Sequence, residues 1–220
     1  MVAALLPGFA CAESFGDVPE PAILDAERAV VSGASAERRR EFATGRHCAR
    51  TALGRIGVLA GPILPDEDRA PQWPAGVVGS ITHCARYRAA AVTHSDEVAG
   101  VGIDAEPHAP LPGEVLALVL RDEERARLVS LADAHSDVHW DRVVYCAKEA
   151  AYKAWFPLTR RWLGFADVST TVRLDGTFRA QLLAPGPRVA GLELQGFSGR
   201  WLVANGLVAT ATSVGGRPTP

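Results

Sequence analysis

The order of patterned segments predicts an α+β fold with two antiparallel sheets. Three observations carry that reading. One long helical pattern precedes three strand-like runs, and two further helical patterns precede two hairpin-like pairs. Each late pair is split by a tight-turn dipeptide, Asp175-Gly176 or Asn205-Gly206. A segment with three prolines, 107–113, separates the two series and reads as a linker.

Residues 1–12 are apolar, but they hold Pro7 and Gly8 and no positive n-region, so no signal peptide is expected. The first strong helix runs from Ser35 to Ile56. Phe42, Ala49, Ala52, Leu53 and Ile56 form its apolar stripe, and Arg38, Arg39, Arg46 and Arg50 cover the rest. Residues 61–76 carry four prolines and read as an irregular loop. Strands are expected at 76–82, 88–94 and 97–106, with a turn at Ser95-Asp96. Beyond the linker come helices from Glu114 to Ala132 and from Trp140 to Trp155, then strand pairs 169–174/177–183 and 199–204/207–213. The expected division is an N-terminal half, 1–106, a C-terminal half, 114–213, and a flexible tail, 214–220.

A chain of 220 residues, 48% hydrophobic and 22% charged, buries a sizeable core. Its net charge of −2 argues against a nucleic-acid partner, so any phosphate site must be a local cluster. Cys11, Cys48, Cys84 and Cys146 form neither C-x-x-C pairs nor a dense framework, which fits a reduced, cytoplasmic protein. No run of apolar residues is long enough for a membrane span. Phosphate-loop and dinucleotide glycine motifs are absent, and the echo His47-Cys-Ala-Arg50 and His83-Cys-Ala-Arg86 fits no zinc pattern.

Lys148 and Lys153 are the only lysines among 23 basic residues, and they flank Glu149. A lysine is a movable point charge, whereas an arginine is a rigid planar fork. On a helical wheel, Trp140, Val143, Val144, Ala147, Ala151 and Ala154 gather within about 60° and form the core face. Arg142, Glu149 and Lys153 lie nearly opposite, and Lys148 projects about 100° to the side of Glu149. Taken alone, Glu149 and Lys153 fit an exposed i, i+4 ion pair.

The run 98–106 changes that reading. Alternate residues of a strand share a face, so Val101 and Ile103 point to the core. Gly100, Gly102, Asp104 and Glu106 point the other way, with the glycines expected to leave open space. Two adjacent carboxylates call for a cation, and hard oxygen ligands suit magnesium; a solvated acidic edge strand is the alternative. Asp104, Glu106 and Glu149 could hold magnesium beside a pyrophosphate, with lysines neutralising the transferred phosphoryl group. The run 78–83 ends a strand in small polar residues and His83, where backbone amides and the imidazole could meet phosphate oxygens.

Four blocks then resemble the Sfp/EntD-type 4′-phosphopantetheinyl transferases, closest to the branch serving polyketide, nonribosomal-peptide and fatty-acid carriers in high-GC bacteria. They are Glu41–Arg50, Gly79–Cys84, Gly102–Pro107 and Cys146–Trp155, joined by Trp162-Leu-Gly-Phe165. The resemblance implies a monomer of two similar, pseudo-symmetric α+β halves, with coenzyme A and Mg2+ in the cleft between them. It implies transfer of phosphopantetheine from coenzyme A to a serine of an apo acyl or peptidyl carrier protein, releasing adenosine 3′,5′-bisphosphate. By matched position, Asp104, Glu106 and Glu149 would bind the metal, and Glu149 would take the serine proton. Lys153 would stabilise the pyrophosphate, while Lys148 and His83 hold phosphate oxygens near Ser80 and Thr82. Arg38 and Arg46 would clamp the 3′-phosphate. Some relatives carry a lysine in the loop that here reads Pro65-Asp-Glu-Asp-Arg69, and carrier docking is expected on Val115–Leu131.

A magnesium nuclease also pairs carboxylates with a lysine, but Glu106-Pro-His108 breaks the usual D…[DE]-x-K spacing. A silent carrier-binding module would not need the intact acids and lysines.

Overall fold

A computed structural model describes residues 1–18 and 23–215. The chain runs α1 (Val2–Leu5), β1 (Ala10–Phe15), α2 (Asp25–Val30), α3 (Ala36–Arg55), β2 (Val77–Cys84), β3 (Tyr87–His94) and β4 (Val98–Pro107). It continues with α4 (Gly113–Val119), α5 (Asp122–Ala134), α6 (Trp140–Thr159), a 3-10 turn (Phe165–Asp167), β5 (Val168–Val172) and β6 (Thr177–Leu182). The minor pair β7 (Arg188–Val189) and β8 (Leu192–Glu193) precedes β9 (Gly196–Ala204) and β10 (Leu207–Gly215). The α+β class holds.

Three strands form an antiparallel sheet in the order β1-β3-β2, and α3 packs on it. Cys48, Ala49, Ala52 and Leu53 of α3 meet Ala90 and Val92 of β3 in one apolar cluster. Ser35 starts α3 by accepting from the Arg38 amide at 3.2 Å, as a serine cap should. The larger sheet runs β4-β10-β9-β6-β5, with α6 across it. Its tight turn at Asn205 and Gly206, both at positive φ, is the one expected. Asp175-Gly176 instead belongs to a longer loop, 173–176, where Asp175 accepts from the Thr177 amide and hydroxyl.

Strand β4, expected to close the N-terminal half, hydrogen-bonds to β10 along its length. It is therefore the hinge between sheets: its pairing is C-terminal, while Ser80 and Thr82 of β2 bond its backbone from the other side. Val214 and Gly215 pair with Gly100 and Val98, so these two residues finish a strand and are no tail; 216–220 lie outside the described residues.

The single helix expected over 114–132 is two helices. Glu124 Oε2 accepts from the Arg121 amide at 2.9 Å, and Asp122, Glu123 and Glu124 crowd the first turn of α5. Carboxylates there satisfy orphan amides and favour the positive end of the helix dipole, so the chain restarts at 122. The segment 107–112 is pinned to α6. Arg142 donates to the carbonyls of Ala109 and Pro110, and Asp141 accepts from Leu111 at 2.7 Å.

Candidate active site

Backbone approach builds the site. A Cβ on Gly102 would lie 1.9 Å from the carbonyl oxygen of Ala150, and one on Gly100 would lie 3.1 Å from that of Ala154. The glycines thus leave no open space beside the carboxylates: helix α6 fills it. The alternation expected for β4 holds, with Val101 and Ile103 in the core, but the opposite face meets α6 and not solvent. Asp104 is 4% exposed, which excludes the solvated edge strand.

That contact delivers Lys153 to Asp104. Its ammonium lies 2.7 Å from Asp104 Oδ1 and 3.1 Å from the Ile103 carbonyl. The i, i+4 pair with Glu149 is not formed; Lys153 crosses to the strand instead. Thr82, 1% exposed, donates to Asp104 Oδ1 at 3.2 Å and accepts from the Ala105 amide at 3.1 Å. Ser80, 4% exposed, accepts from the Ile103 amide at 3.1 Å. Both hydroxyls tie β2 to β4 beside Asp104, and Ser80 also lines the larger cleft.

Glu106 accepts from Arg142 at 3.3 Å, and among the described residues no side chain donates to Glu149. Burial first, then repulsion from Asp104, pushes the Glu106 carboxyl up to about 7 and raises that of Glu149. Burial works against the charge of Lys153, but Asp104 and Glu149 together hold its pKa above the ordinary lysine value. Three acids therefore share one ammonium and, at Glu106, one guanidinium.

Two cavities meet at Glu149. A cleft of about 580 Å3 opens between the loop 66–73, β2 and α6, with Glu149, Tyr152 and Lys153 in its wall. A second cavity of about 250 Å3 lies between α6, Val115, Trp162 and Phe165, and Glu149 and Tyr152 line it too. Asp66, anchored by the amides of Asp68 and Ala70, pairs with Arg160 just past α6, so the acidic loop is latched over the first cleft.

Not all expected phosphate ligands arrive there. Lys148 is 3% exposed, and its ammonium is held by Val119, Glu124 and Phe165 at 2.8, 2.8 and 2.9 Å. The side of the helix it occupies faces α5, and in this arrangement all three donors of the ammonium are taken by protein acceptors. Arg46 is also buried, with Nε on the Ile63 carbonyl at 2.7 Å and its guanidinium 4.3 Å from the Phe42 ring centre. Arg38 is exposed, 2.9 Å from Glu41 and 3.0 Å from His83 Nε2. The two arginines make no joint clamp in this arrangement. Burial lowers the His83 pKa despite the nearby Glu41, which favours a neutral imidazole.

Sequence reasoning missed Glu124, Asp66 and Arg160. The acidic start of α5 could have flagged Glu124 as a cap; Asp66 and Arg160 are 94 residues apart and leave no local signal.

The donor set fits a hard divalent cation. Asp104 Oδ2 is buried and, among the described residues, without a hydrogen-bond partner, and the carboxylates raise one another's proton affinity. Among the described residues no three acids or thiols stand as a finished metal cage. That suits an ion held by one or two carboxylates, with waters and substrate phosphate completing its shell.

Acids, one ammonium and a cleft with an apolar annex are parts that a phosphoryl-group transferase needs. Residues 26–93 match the 4′-phosphopantetheinyl transferase N-terminal domain, and residues 100–205 match the 4′-phosphopantetheinyl transferase superfamily. The chain is 50% identical to the 4′-phosphopantetheinyl transferase Svp of Streptomyces mobaraensis, over 97% of this chain and 89% of the relative. It is 46% identical to PptT of Mycobacterium tuberculosis, over 96% of both, and 47% identical to Npt of Nocardia iowensis, over 84% and 86%. The chain belongs to the 4′-phosphopantetheinyl transferase family.

Proposed function

We propose that this transferase moves the phosphopantetheinyl arm of coenzyme A to a serine of an apo acyl or peptidyl carrier protein, with Glu149 as the proton acceptor. The observation that carries the reading is the position of Glu149, at the junction of the two cavities and without a donor of its own. The pyrophosphate then sits at that junction. The nucleotide lies in the larger cleft and the pantetheine arm in the apolar one, among Tyr145, Tyr152 and Trp162.

One or two carboxylates of the set Asp104, Glu106 and Glu149 would hold Mg2+, with waters and substrate phosphate completing its shell, and the ion would neutralise charge on the pyrophosphate. Lys153, steadied by Asp104, places a positive charge where the leaving phosphate gains its negative one. Glu149 accepts the serine proton. Arg38 on α3 and His83 on β2 stand exposed side by side for the outer phosphate, with Arg38 the donor of the pair, and Arg46 supports α3 from behind. Carrier docking falls on the α4–α5 face, where Leu118 and Val129 are exposed. The family halves, each one sheet and one long helix, are the proposed domains, with β4 shared at the seam. Among the described residues no helix is long and apolar enough to cross a membrane; a cytoplasmic monomer is part of the same proposal.

The test is direct. The protein is incubated with coenzyme A, Mg2+ and an apo carrier, and the carrier is weighed. One added phosphopantetheine, lost when chelator replaces metal, supports the reading. No gain with several unrelated carriers overturns it.

A further inference from the structure

Lys148 was expected at the substrate, yet it lies inside the protein in a knot of unusual density. Its nitrogen donates to the carbonyl that ends α4 (Val119), to the Glu124 carboxylate and to the carbonyl of Phe165 in the 3-10 turn. The carboxylate is bonded just as fully. Glu124 Oε2 also accepts from the Arg121 amide at 2.9 Å, and Oε1 accepts from the Thr170 amide of β5 at 2.6 Å. The two side chains are 1% and 0% exposed. One ion pair thus joins α4, α5, α6, the 3-10 turn and β5.

Four of these elements also wall the 250 Å3 cavity: Val115 from α4, Phe165 from the turn, Val168 from β5, and Tyr145, Lys148 and Glu149 from α6; Lys148 enters that wall with its ammonium already bonded to three acceptors. Lys148 is the chain neighbour of Glu149. A buried ion pair gives little net stability, because desolvation offsets much of the attraction. Its use here is geometric: three acceptors converge on one nitrogen. An ammonium can serve all three, whereas a guanidinium spreads its donors over three nitrogens in a plane. This explains why a chain that otherwise writes its basic residues as arginine keeps lysine at 148.

We propose that Lys148 and Glu124 are a positioning pair. They fix the second cavity and the rotation of α6 at Glu149, and neither charged group holds a phosphate of coenzyme A. The inference rests on the reading of Glu149 as proton acceptor only for its kinetic consequence; the burial of Lys148 is tested separately.

The first experiment uses the wild-type protein. Since the side-chain amines are those of Lys148 and Lys153 alone, acylation with an amine-reactive ester followed by peptide mapping reads each one. Lys148 should stay unmodified with and without coenzyme A, and react only in denaturant. Modification of Lys148 in the free protein, blocked by coenzyme A, overturns the proposal and restores a phosphate ligand. The second experiment is a double-mutant cycle with Glu124→Gln and Lys148→Met. Either change should lower kcat by on the order of ten- to a hundredfold through misplacement of Glu149. The calorimetric Kd for coenzyme A should change less than about threefold, and the double variant should be no worse than the singles. Wild-type kcat in a folded Glu124→Gln protein, or fully additive losses, overturns the coupling. If the variants do not fold, the labelling result still decides whether Lys148 meets the coenzyme.

Discussion

The ammonium of Lys153 lies 2.7 Å from Asp104 Oδ1, across the gap between α6 and β4, and not on its helical neighbour Glu149. Four expectations follow from that contact and from the packing that allows it.

Asp104→Ala takes the paired carboxylate from a largely buried ammonium, leaving it the Ile103 carbonyl and the more distant charge of Glu149. Breaking such a pair costs several kcal/mol in full burial; with Lys153 28% exposed, a loss of about 2 kcal/mol is expected. Urea denaturation measures it. Metal-dependent carrier modification should fall below detection, and retained turnover would remove Asp104 from the metal site.

Lys153→Arg keeps the charge but replaces a point donor, held by Asp104 and the Ile103 carbonyl, with a planar fork of different reach. The variant should fold, since charge and hydrogen-bonding capacity remain. Its kcat should drop by at least about tenfold, through lost alignment at the phosphate. A wild-type rate in the carrier mass assay would show that shape at 153 is irrelevant.

Gly102→Ala tests the backbone approach itself. The added methyl would overlap the Ala150 carbonyl, so α6 must move away from β4. Overpacking of this kind costs about 1–3 kcal/mol. Activity should fall further than Gly33→Ala, where a Cβ meets nothing within 4 Å. Equal thermal midpoints for the two variants would contradict the tight seam.

The pH dependence of metal-free stability has a definite sign. Glu106 titrates at about 7 in the folded protein, against an ordinary value of 4.5, so the folded state binds more protons between the two. Stability therefore falls as pH rises through that window, by at most about 3 kcal/mol. Glu106→Gln should flatten the profile between about pH 5 and about pH 8, measured by urea denaturation in chelator. Identical slopes for variant and wild type would place the burial cost elsewhere.

Much of the site was legible because it sits on two regular elements. Period two along 98–106 put Asp104 and Glu106 on one face, and period 3.6 along α6 separated its core face from Glu149 and Lys153. The split of α4 from α5 was also written locally, in Asp122, Glu123 and Glu124, yet the apolar stripe through 115–131 masked it. Lys148 was the clearest misreading. Its direction on the wheel was right, but nothing near it in sequence names what stands there. Its partner, Glu124, is 24 residues away. The bonds of Ser80 and Thr82 to β4 were hidden for the same reason: small polar residues at a strand end suit phosphate, and nothing local names the neighbouring strand they meet.

The sequence by itself determined the chemistry available: three acids, two lysines, and the face of its element on which each side chain stands. Those are consequences of backbone periodicity, which acts over a few residues. Only the tertiary structure decided the pairing. Glycines at 100 and 102 let α6 settle onto β4, which turned Lys153 toward Asp104 and closed Lys148 against Glu124. An ammonium takes whichever carboxylate packing brings within reach, and that is fixed by contacts across the whole chain.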